Sequence, residues 1–355
     1  MQEVSALPRF AIVVPVYRTE AYLMECLESI RTQKYRLFKV FVVDDGSPDN
    51  CGKIIDQYSE KDDRFIAIHK TNGGVSSARN VALELIESRG NFDLITFCDA
   101  DDLMPSTALE VLRDLYVKYG VEYIVGATVT FDKRGPSPLP QHSNFSPKFY
   151  EINNRGAFDH LVGGGFWSNK ISRTQTFSLS NRCFSAKLLK GIRFDEQLVM
   201  SEDQDYLLNV LKRVKKGLIH DIELTLYRAR ASSAGHNKFG LCREFFFINK
   251  ELESISDFEE GLRLSMLNFL TMKWWKKLIL AINENYIDRF DDEFRVAAKK
   301  IANSPYAGNL PFRLRKRILF FNFNRFLYVK YLHWSLKKRK HADCLSDDWS
   351  RFLYD

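Results

Sequence analysis

The first third of the chain alternates short apolar runs with segments of helical periodicity, and this alternation constrains the fold most strongly. Apolar runs typical of buried strands occur at residues 10–14, 40–43, 65–68, 94–98 and 123–125. Between them, apolar residues recur every three or four positions, which predicts helices at 21–30, 52–59, 75–86 and 106–117. Such alternation is typical of a mainly parallel sheet with right-handed crossovers. We therefore expect an α/β fold.

Polar residues directly follow three of the predicted strands. They form the clusters Pro15-Val16-Tyr17, Asp44-Asp45 and Asp99–Asp102. In a parallel sheet, ligands bind beyond the carboxyl ends of the strands. Because all three clusters fall at that edge, we expect them to form one site.

The two acidic clusters suit the recognition of a metal and a nucleotide. Asp99 and Asp101 on a tight turn can hold one divalent cation, directly or through water, and such a cation offsets the charge of a diphosphate. A carboxylate in Asp44-Asp45 can accept from a base imide N–H or from a ribose hydroxyl. Both clusters also have a purely structural interpretation, because Asp and Gly are common in turns that end a strand.

The segment Asn72-Gly73-Gly74 opens a predicted helix. Glycines at that point permit a close approach of the backbone, and a helix N-terminus favours anions. No Gly-Lys-Ser/Thr follows, which excludes a P-loop, and the segment is not the Gly-x-Gly-x-x-Gly that follows the first strand of dinucleotide-binding domains.

Four motifs, in this order and at this spacing, resemble those of family 2 glycosyltransferases, which have the GT-A fold. The matching segments are Ile12–Tyr17 with Glu20 and Tyr22-Leu23, then Val42–Asp49, Asn72–Asn80 and Phe97–Asp102. Further along, Arg193–Glu196 and Ser201-Glu202-Asp203 resemble the later acidic motif of the family. The resemblance spans about residues 8–235, and it implies a nucleotide-sugar-binding sheet flanked by helices.

The resemblance implies an inverting transfer of a sugar from a nucleoside-diphosphate sugar, with UDP as the expected nucleotide. The residues that it assigns to the nucleotide site are Pro15, Tyr17, Asp45, Asn72, Arg79, Asp99, Ala100 and Asp101. Asp101 would ligate Mn²⁺ or Mg²⁺, and Asp99 would hold the ribose side or a metal-bound water. Asp203 would be the general base that takes the proton of the acceptor, a role that contributes ~10²–10⁴-fold to a rate.

Asp203 also has a structural interpretation. Ser201-x-x-Gln204 is a capping-box pattern at the start of a helix predicted over 201–214, where acidic residues favour the helix dipole. Glu202 and Asp205 are the competing candidates for the base.

Three later residues have weaker assignments. His236 could be a further metal ligand, although a lone histidine is more often structural. Arg228 or Arg230 could hold the diphosphate, and Arg230 stands where many relatives have a histidine. The segment 179–184 offers no tryptophan for stacking against an acceptor, in contrast to many relatives.

The last third of the chain combines aromatic residues with positive charge. Residues 294–342 contain thirteen Lys and Arg residues and no Asp or Glu, whereas the whole chain has a net charge of +7. Cations interleaved with Phe, Leu, Tyr and Trp over 310–339 favour an amphipathic element on an anionic membrane surface. The alternatives are a helical subdomain with a solvated basic face and, with no recognised module to support it, nucleic-acid binding.

We predict two regions, a GT-A catalytic domain over 1–238 and a helical, basic and aromatic region over 239–355. Residues 133–180, with their Pro-rich and Gly-rich stretches, are expected to be irregular. The sequence contains no apolar stretch long enough to span a membrane and no secretory signal. Its six cysteines are scattered without C-x-x-C pairs, which indicates reduced cytosolic thiols.

The resemblance and the basic C-terminal region together imply a cytoplasmic enzyme, peripheral on the inner face of the cell membrane, that acts in bacterial surface-glycan assembly. Its expected acceptor is a saccharide or a lipid-linked glycan, and no nucleic-acid partner is expected. A metal-dependent nucleotidyltransferase is the enzymatic alternative, and it would normally have a Gly-rich N-terminal phosphate loop. A non-catalytic protein that binds nucleotide sugars, or a scaffold, is the other alternative.

Overall fold

One mixed sheet organises the N-terminal part of the chain, with strands in the order β3-β2-β1-β4-β7-β5-β8-β6. The strands are β1 (Phe10–Val16), β2 (Phe38–Asp44), β3 (Phe65–His69), β4 (Leu94–Phe97), β5 (Tyr123–Phe131), β6 (Phe149–Ile152), β7 (Arg182–Ser185) and β8 (Gly217–Arg228). The helices are α1 (Glu20–Arg31), α2 (Cys51–Lys61), α3 (Val75–Arg89), α4 (Ala108–Tyr119), α5 (Asn154–Val162), α6 (Ala186–Leu189) and α7 (Glu202–Leu211). This is the α/β architecture that the sequence predicts.

The computed structural model describes residues 7–131, 148–162, 178–198, 200–229, 245–283, 291–323, 328–329 and 332. The chain divides into two units, Met1–Ala231 and Ser232–Asp355. The first unit contains every residue proposed above for the site except His236, which lies outside the described residues.

The centre of the sheet is parallel. Strand β1 pairs in parallel with β2 and with β4, and β2 pairs in parallel with β3. Because helices cover both faces of such strands, they are continuously apolar, and residues 10–14 of β1 have no exposed surface. The carboxyl ends of β1 to β4 therefore lie along one edge, where the polar clusters follow them.

The other half of the sheet mixes directions. Strand β7 runs antiparallel between β4 and β5, β8 runs parallel to β5, and β6 is an antiparallel edge strand on β8. Strand β6 and helix α5 correct the expectation that residues 133–180 are irregular. Strand β6 pairs with a segment more than sixty residues later, Phe149 with His220 and Ile152 with Gly217. Local periodicity does not report such tertiary pairing.

The second unit is helical where it is described. Its helices are α8 (Phe245–Glu253), α9 (Glu260–Asn283), α10 (Asp291–Asn303) and α11 (Phe312–Phe323). The buried indole of Trp274 meets the rings of Phe294 and Phe321 edge-on, and its Nε1 donates to the Phe294 carbonyl at 3.1 Å. These contacts confirm the predicted helical C-terminal extension. Among the described helices, none combines the length and the apolar character that crossing a membrane requires.

Candidate active site

The turn that follows β4 presents one acidic side chain and buries another. The N–H of Asp102 donates to the Asp99 carbonyl at 3.0 Å, which closes the turn around the buried Ala100. The side chain of Asp102 is buried and accepts the backbone N–H of Arg228 at 2.9 Å. The side chain of Asp99 is 39% exposed. The turn therefore holds Asp99 at the rim, where a ligand can reach it.

The guanidinium of Arg79 contacts several carboxylates at the edge of the sheet. Its side chain is 3% exposed, and its Nη1 donates to Asp203 Oδ1 at 2.6 Å while its Nη2 donates to Asp99 Oδ1 at 3.1 Å. Glu202 Oε1 lies 3.5 Å from Nη1. One guanidinium from α3 thus joins the proposed base on α7 to the acidic turn after β4. The sequence placed these residues in one site, and the structure brings them into contact.

Arg79 and Asn80 also hold the segment around Phe194, which precedes Asp203 in the chain. The Asn80 side chain exchanges hydrogen bonds with the backbone of Phe194, accepting at 2.8 Å and donating at 3.0 Å, and it donates to Glu196 Oε1 at 2.8 Å. The Phe194 ring lies 5.2 Å from the Arg79 guanidinium and stacks on Tyr206 at 3.8 Å. Arg79 therefore contacts the carboxylates directly, and Asn80 holds the segment that contains Phe194 and Glu196.

The cluster shifts the ionisation of its members. Burial raises the pKa of Asp203 to about 7; Glu202 and Asp99 add to the shift, and the positive charge of Arg79 opposes it. Burial likewise raises the pKa of Glu202. Burial acts against the charge of Arg79, yet the surrounding carboxylates outweigh it and hold the pKa of the guanidinium above its usual range. A carboxylate whose pKa lies near neutral pH is suited to accept and release a proton.

The capping-box interpretation of Asp203 is not supported by the geometry. Helix α7 begins at Glu202, and Ser201 precedes it with φ 64°, a left-handed conformation that is uncommon outside glycine. The Ser201 hydroxyl forms no cap and has no hydrogen-bond partner among the described residues. The Asp203 side chain is 25% exposed, and within the described chain its Oδ2 has no hydrogen-bond donor. Of the two carboxylate oxygens, only Oδ1 is thus engaged by Arg79.

The loop after β2 uses Asp45 internally. Asp45 Oδ1 accepts from Lys70 Nζ at 2.6 Å and from the Gly73 N–H at 2.9 Å, and Oδ2 accepts from the Gly74 N–H at 2.7 Å. Only 3% of this side chain is exposed. In this arrangement Asp45 holds the Gly-rich start of α3 against the end of β2.

The rest of this loop is also held by internal hydrogen bonds. The Asn72 amide donates to the Asp45 carbonyl at 2.9 Å, and Asp44 accepts from the Ser47 N–H at 2.9 Å. Gly46 has φ 70°, and a Cβ there would lie 2.8 Å from the Asn72 backbone nitrogen, so only glycine fits. The Asp44 carboxylate also contacts His69 Nδ1 at 3.3 Å.

The first polar cluster lies at the end of β1. Pro15 is part of the strand, paired with Val43, and Tyr17 follows it with an exposed ring that packs 5.3 Å from the Arg18 guanidinium. Arg18 has φ 53°, and its N–H donates to Ser47 Oγ at 3.3 Å. Tyr17 thus stands beside the Asp44-Asp45 loop with an open aromatic face.

Arg228, one of the two candidates for holding the diphosphate, contacts the acidic turn. Its Nε donates to the Asp101 carbonyl at 2.9 Å and its Nη2 to Glu25 Oε2 at 2.6 Å. The guanidinium also lies 5.1 Å from the Tyr22 ring and 4.6 Å from the Phe131 ring. These contacts occupy Arg228 with the protein itself. Arg230, the other candidate, lies outside the described residues.

Two polar residues of the site had no assignment from the sequence. Lys70 carries the positive charge that balances Asp45, and the Ser180 hydroxyl lies 3.4 Å from Asp99 Oδ2. Lys70 directly precedes Thr71 and the Gly-rich motif, which is a signal that sequence inspection could use. Ser180 reaches Asp99 only because β7 inserts beside β4, and no local pattern reports that.

The donor set at the acidic turn fits a divalent cation shared with a phosphate ligand. Among the described residues, no group of three or more His, Cys, Asp or Glu side chains could hold a metal by itself. Mg²⁺ is usually bound by one or two carboxylates together with substrate phosphates and water, so a complete protein cage is not required. Asp99 is exposed at the rim and Asp101 follows it on the same turn.

The sequence and the fold match known proteins. The model of the family described as "Glycosyl transferase family 2" matches residues 11–177. Glycosyltransferase GlyA of Streptococcus pneumoniae is 31% identical over 189 residues, which cover 53% of this chain and 26% of GlyA. The minor teichoic acid biosynthesis protein GgaB of Bacillus subtilis is 28% identical over 307 residues, which cover 81% of this chain and 31% of GgaB. The chain thus spans less than a third of these two relatives.

The fold matches a solved structure over nearly its whole length. S. aureus TarS 1–349, solved in complex with UDP-GlcNAc, aligns with a TM-score of 0.69 over 93% of this chain and 92% of that chain, at 18% sequence identity. Together with the four motifs at the edge of the sheet, these matches confirm the GT-A fold. Residues 11–177 therefore match a family 2 glycosyltransferase domain, within a chain of GT-A fold.

Proposed function

We propose that the chain transfers a sugar from a nucleoside-diphosphate sugar to a hydroxyl of an acceptor glycan, with inversion at the anomeric carbon. The observation that carries this proposal is the Arg79 bridge, which joins Asp203 on one side to Asp99 on the other. An inverting displacement needs a base on one face of the sugar and charge compensation for the leaving diphosphate on the other. The bridge supplies a side chain suited to each need.

Asp203 is the proposed base. The acceptor hydroxyl gives its proton to Asp203 Oδ2 as its oxygen forms a bond to the anomeric carbon. The bond from that carbon to the diphosphate oxygen breaks, and its electron pair leaves with the diphosphate. The pKa of Asp203 near 7 suits this transfer, because the base must hold the proton and later release it.

Asp101 and Asp99 are proposed to hold Mn²⁺ or Mg²⁺ together with the diphosphate of the donor. When bound, the cation supplies positive charge to the departing diphosphate. The N–H groups at the start of α3 are already used in part by Asp45, so the carboxylate turn is the better candidate for the phosphate side.

The nucleotide is proposed to lie against the loops after β1 and β2. Tyr17 offers an exposed ring for the base, with Pro15 beside it, while Asp45 and Asn72 fix the shape of the pocket. The complex of TarS with UDP-GlcNAc supports a UDP-sugar as the donor. The name of GgaB supports an acceptor in teichoic acid or related surface-glycan synthesis.

The catalytic domain is proposed to cover 1–238 and the helical region 239–355, with His236 as a further metal ligand. We also propose that the helical region holds the enzyme to the inner face of the cell membrane, where a lipid-linked glycan is presented. Thirteen cations without a single carboxylate between residues 294 and 342 support this assignment.

A panel of nucleotide sugars tests the proposal, with the slow metal-dependent release of nucleoside diphosphate measured in the absence of acceptor. UDP-sugars are expected to be hydrolysed, and Asp101→Ala should abolish both this activity and metal-dependent nucleotide binding. Full turnover in excess EDTA would contradict the metal assignment. Release of pyrophosphate from a nucleoside triphosphate and a sugar phosphate would indicate a nucleotidyltransferase, and binding without turnover would indicate a scaffold.

A further inference from the structure

Helix α11 has two apolar faces. Leu314, Ile318 and Phe321 are buried at spacings of four and three residues, and Phe321 packs edge-on against Trp274 at 5.1 Å. Phe312, Leu319 and Phe320 are 60%, 55% and 45% exposed. Because Leu319 lies two helical turns after Phe312, these side chains share the opposite side of the helix. One face belongs to the core of the second unit, and the other is exposed, although the Phe320 ring also packs edge-on against Tyr328 at 5.1 Å.

The exposed face is unusual within the described chain. Large hydrophobic side chains are exposed at ten described positions, and three of the ten lie on α11. The other seven fall one each on different helices or loops. Single exposed apolar residues are normal on a protein surface, whereas a contiguous apolar group indicates a surface that contacts something.

Positively charged side chains lie beside this exposed face. Arg313 and Lys316 are exposed, and α11 contains no acidic residue. Lys316 Nζ lies 4.4 Å from the centre of the Phe312 ring, so the charge stands directly beside the exposed aromatic side chain. Aromatic and aliphatic groups flanked by Lys and Arg are typical of helices that lie in the interface of a membrane with anionic lipids.

We propose that the exposed face of α11, formed by Phe312, Arg313, Lys316, Leu319 and Phe320, is the surface that seats the enzyme on an anionic lipid bilayer. The proposal rests on the proposed function, because a lipid-linked acceptor requires the enzyme at a membrane. It also assigns the membrane contact to α11 rather than to the other basic and aromatic residues of the C-terminal region. The rings and Leu319 enter the headgroup boundary, while Arg313 and Lys316 pair with lipid phosphates.

Charge argues against a second copy of the chain as the occupant of this face. A symmetric contact would place the same surface patch on both subunits. The basic residues of α11 would then face their own counterparts, with no acidic residue of the helix to offset them. An anionic surface complements the face, and a copy of itself does not.

Co-sedimentation of the full-length chain with vesicles tests the proposal. The vesicles contain phosphatidylcholine with phosphatidylglycerol, and phosphatidylcholine alone is the comparison. Substitutions are preferable to removal of α11, because removal would also strip Leu314, Ile318 and Phe321 from the core. The apolar variant is Phe312→Gln/Leu319→Gln, the charge variant is Arg313→Gln/Lys316→Gln, and Val296→Gln is the matched control at an exposed apolar position on α10.

The wild type should bind the anionic vesicles and lose affinity as salt rises. The apolar variant should weaken binding by roughly tenfold or more, since it removes two large side chains from the interface. The charge variant should weaken binding at low salt and flatten its salt dependence, and Val296→Gln should bind as the wild type does. Unchanged thermal unfolding of all variants excludes a general loss of structure.

Three outcomes would overturn the proposal. One is a wild type that ignores anionic vesicles at low salt, and another is an apolar variant that binds them as tightly as the wild type. The third is self-association that the same substitutions abolish, without vesicle binding, which would assign the face to a second copy. Release of nucleoside diphosphate with a soluble acceptor is measured on every sample. Its absence from the wild type would refute the glycosyl transfer, while the vesicle result would still decide the role of α11.

Discussion

Two acidic turns follow β2 and β4, the strands on either side of β1, yet they differ in what their carboxylates contact. After β2, both oxygens of Asp45 are used by three internal donors, and the side chain is buried. After β4, Asp99 is 39% exposed, and its contacts are two side chains of the rim, Arg79 and Ser180. The first turn builds the site, and the second is open to a ligand. Similar sequences at similar positions thus serve different purposes, according to the donors that the fold places around them.

The largest effect is expected from a substitution of Asp203, which shares the Arg79 guanidinium with the exposed turn after β4. Asp203→Asn removes the proposed base and should lower kcat by ~10²–10⁴-fold, with donor affinity nearly kept. The kcat/KM of the wild type should fall as the pH drops below about 7, because a protonated Asp203 cannot accept a proton. The Asn variant should lose this dependence. Initial rates across pH measure both effects, and turnover like that of the wild type would shift attention to Glu202 and Asp205.

A matched pair of substitutions tests the comparison directly. Asp99→Asn should lower turnover by at least about tenfold and lower the urea midpoint less than Asp45→Asn does, because its side chain is 39% exposed and Arg79 keeps Asp203 and Glu202 as partners. Asp45→Asn should destabilise the protein by about 1–3 kcal/mol, because an amide cannot accept from all three donors. Urea unfolding and initial rates are measured on both variants. Equal loss of stability in the two would remove the distinction between the turns.

Arg228 gives a smaller effect, which is specific to the open turn. Arg228→Met removes the donor to the Asp101 carbonyl, so the turn should bind the cation roughly tenfold more weakly. Titration of Mn²⁺ against nucleotide binding measures this change. Glu25→Gln keeps that hydrogen bond and removes only the negative charge opposite Arg228 Nη2, so it serves as the milder control. A change in donor KM at saturating Mn²⁺, with unaltered metal affinity, would contradict a role in positioning the turn.

The smallest effect concerns the turn after β2, where Asp44 contacts His69. The hydrogen bond to Asp56 raises the pKa of His69; burial opposes this, and Asp44 adds to it. Because the folded pKa lies above the unfolded value, this contribution to stability is present below about pH 6.5 and is lost as the pH rises through the folded pKa. The side chain is 45% exposed, so His69→Gln should cost only a few tenths of a kcal/mol at pH 6 and less at pH 8. Paired urea midpoints at the two pH values measure the difference.

The sequence predicts the parallel centre of the sheet well, because those strands are buried on both faces and are bounded by recognisable turns. The predicted strand at 40–43 lies within Phe38–Asp44, and the helix predicted at 75–86 is the core of Val75–Arg89. Strand β6 and helix α5 escape prediction, since β6 is held by pairing with β8 rather than by its own periodicity.

The site is predicted in outline for a similar reason. Strand ends identify which carboxylates gather at the edge of the sheet, and the roles that the family motifs imply for them stay predictions. The sequence does not show which donors each carboxylate meets, since Lys70, Ser180 and Arg228 reach the turns through tertiary packing. Arg228, one of the two candidates for holding the diphosphate, shows this, because its contacts with the acidic turn and with Glu25 are not visible in the sequence. A cationic side chain near a phosphate site can instead form its contacts with other groups of the protein.

The Arg79 bridge has a consequence for synthesis of the chain. Asp203 follows Arg79 by 124 residues, so at about 5–20 residues per second it leaves the ribosome roughly 6–25 s later. Asp99 follows Arg79 by only 20 residues, so for most of that interval the guanidinium has one partner but lacks the contact that lies closest to it, at 2.6 Å. Strand β7, which completes the middle of the sheet, also arrives only at residue 182. The nascent N-terminal segment therefore emerges with an incompletely neutralised cation and an unpaired edge on β4, and both are resolved by the same later stretch of chain.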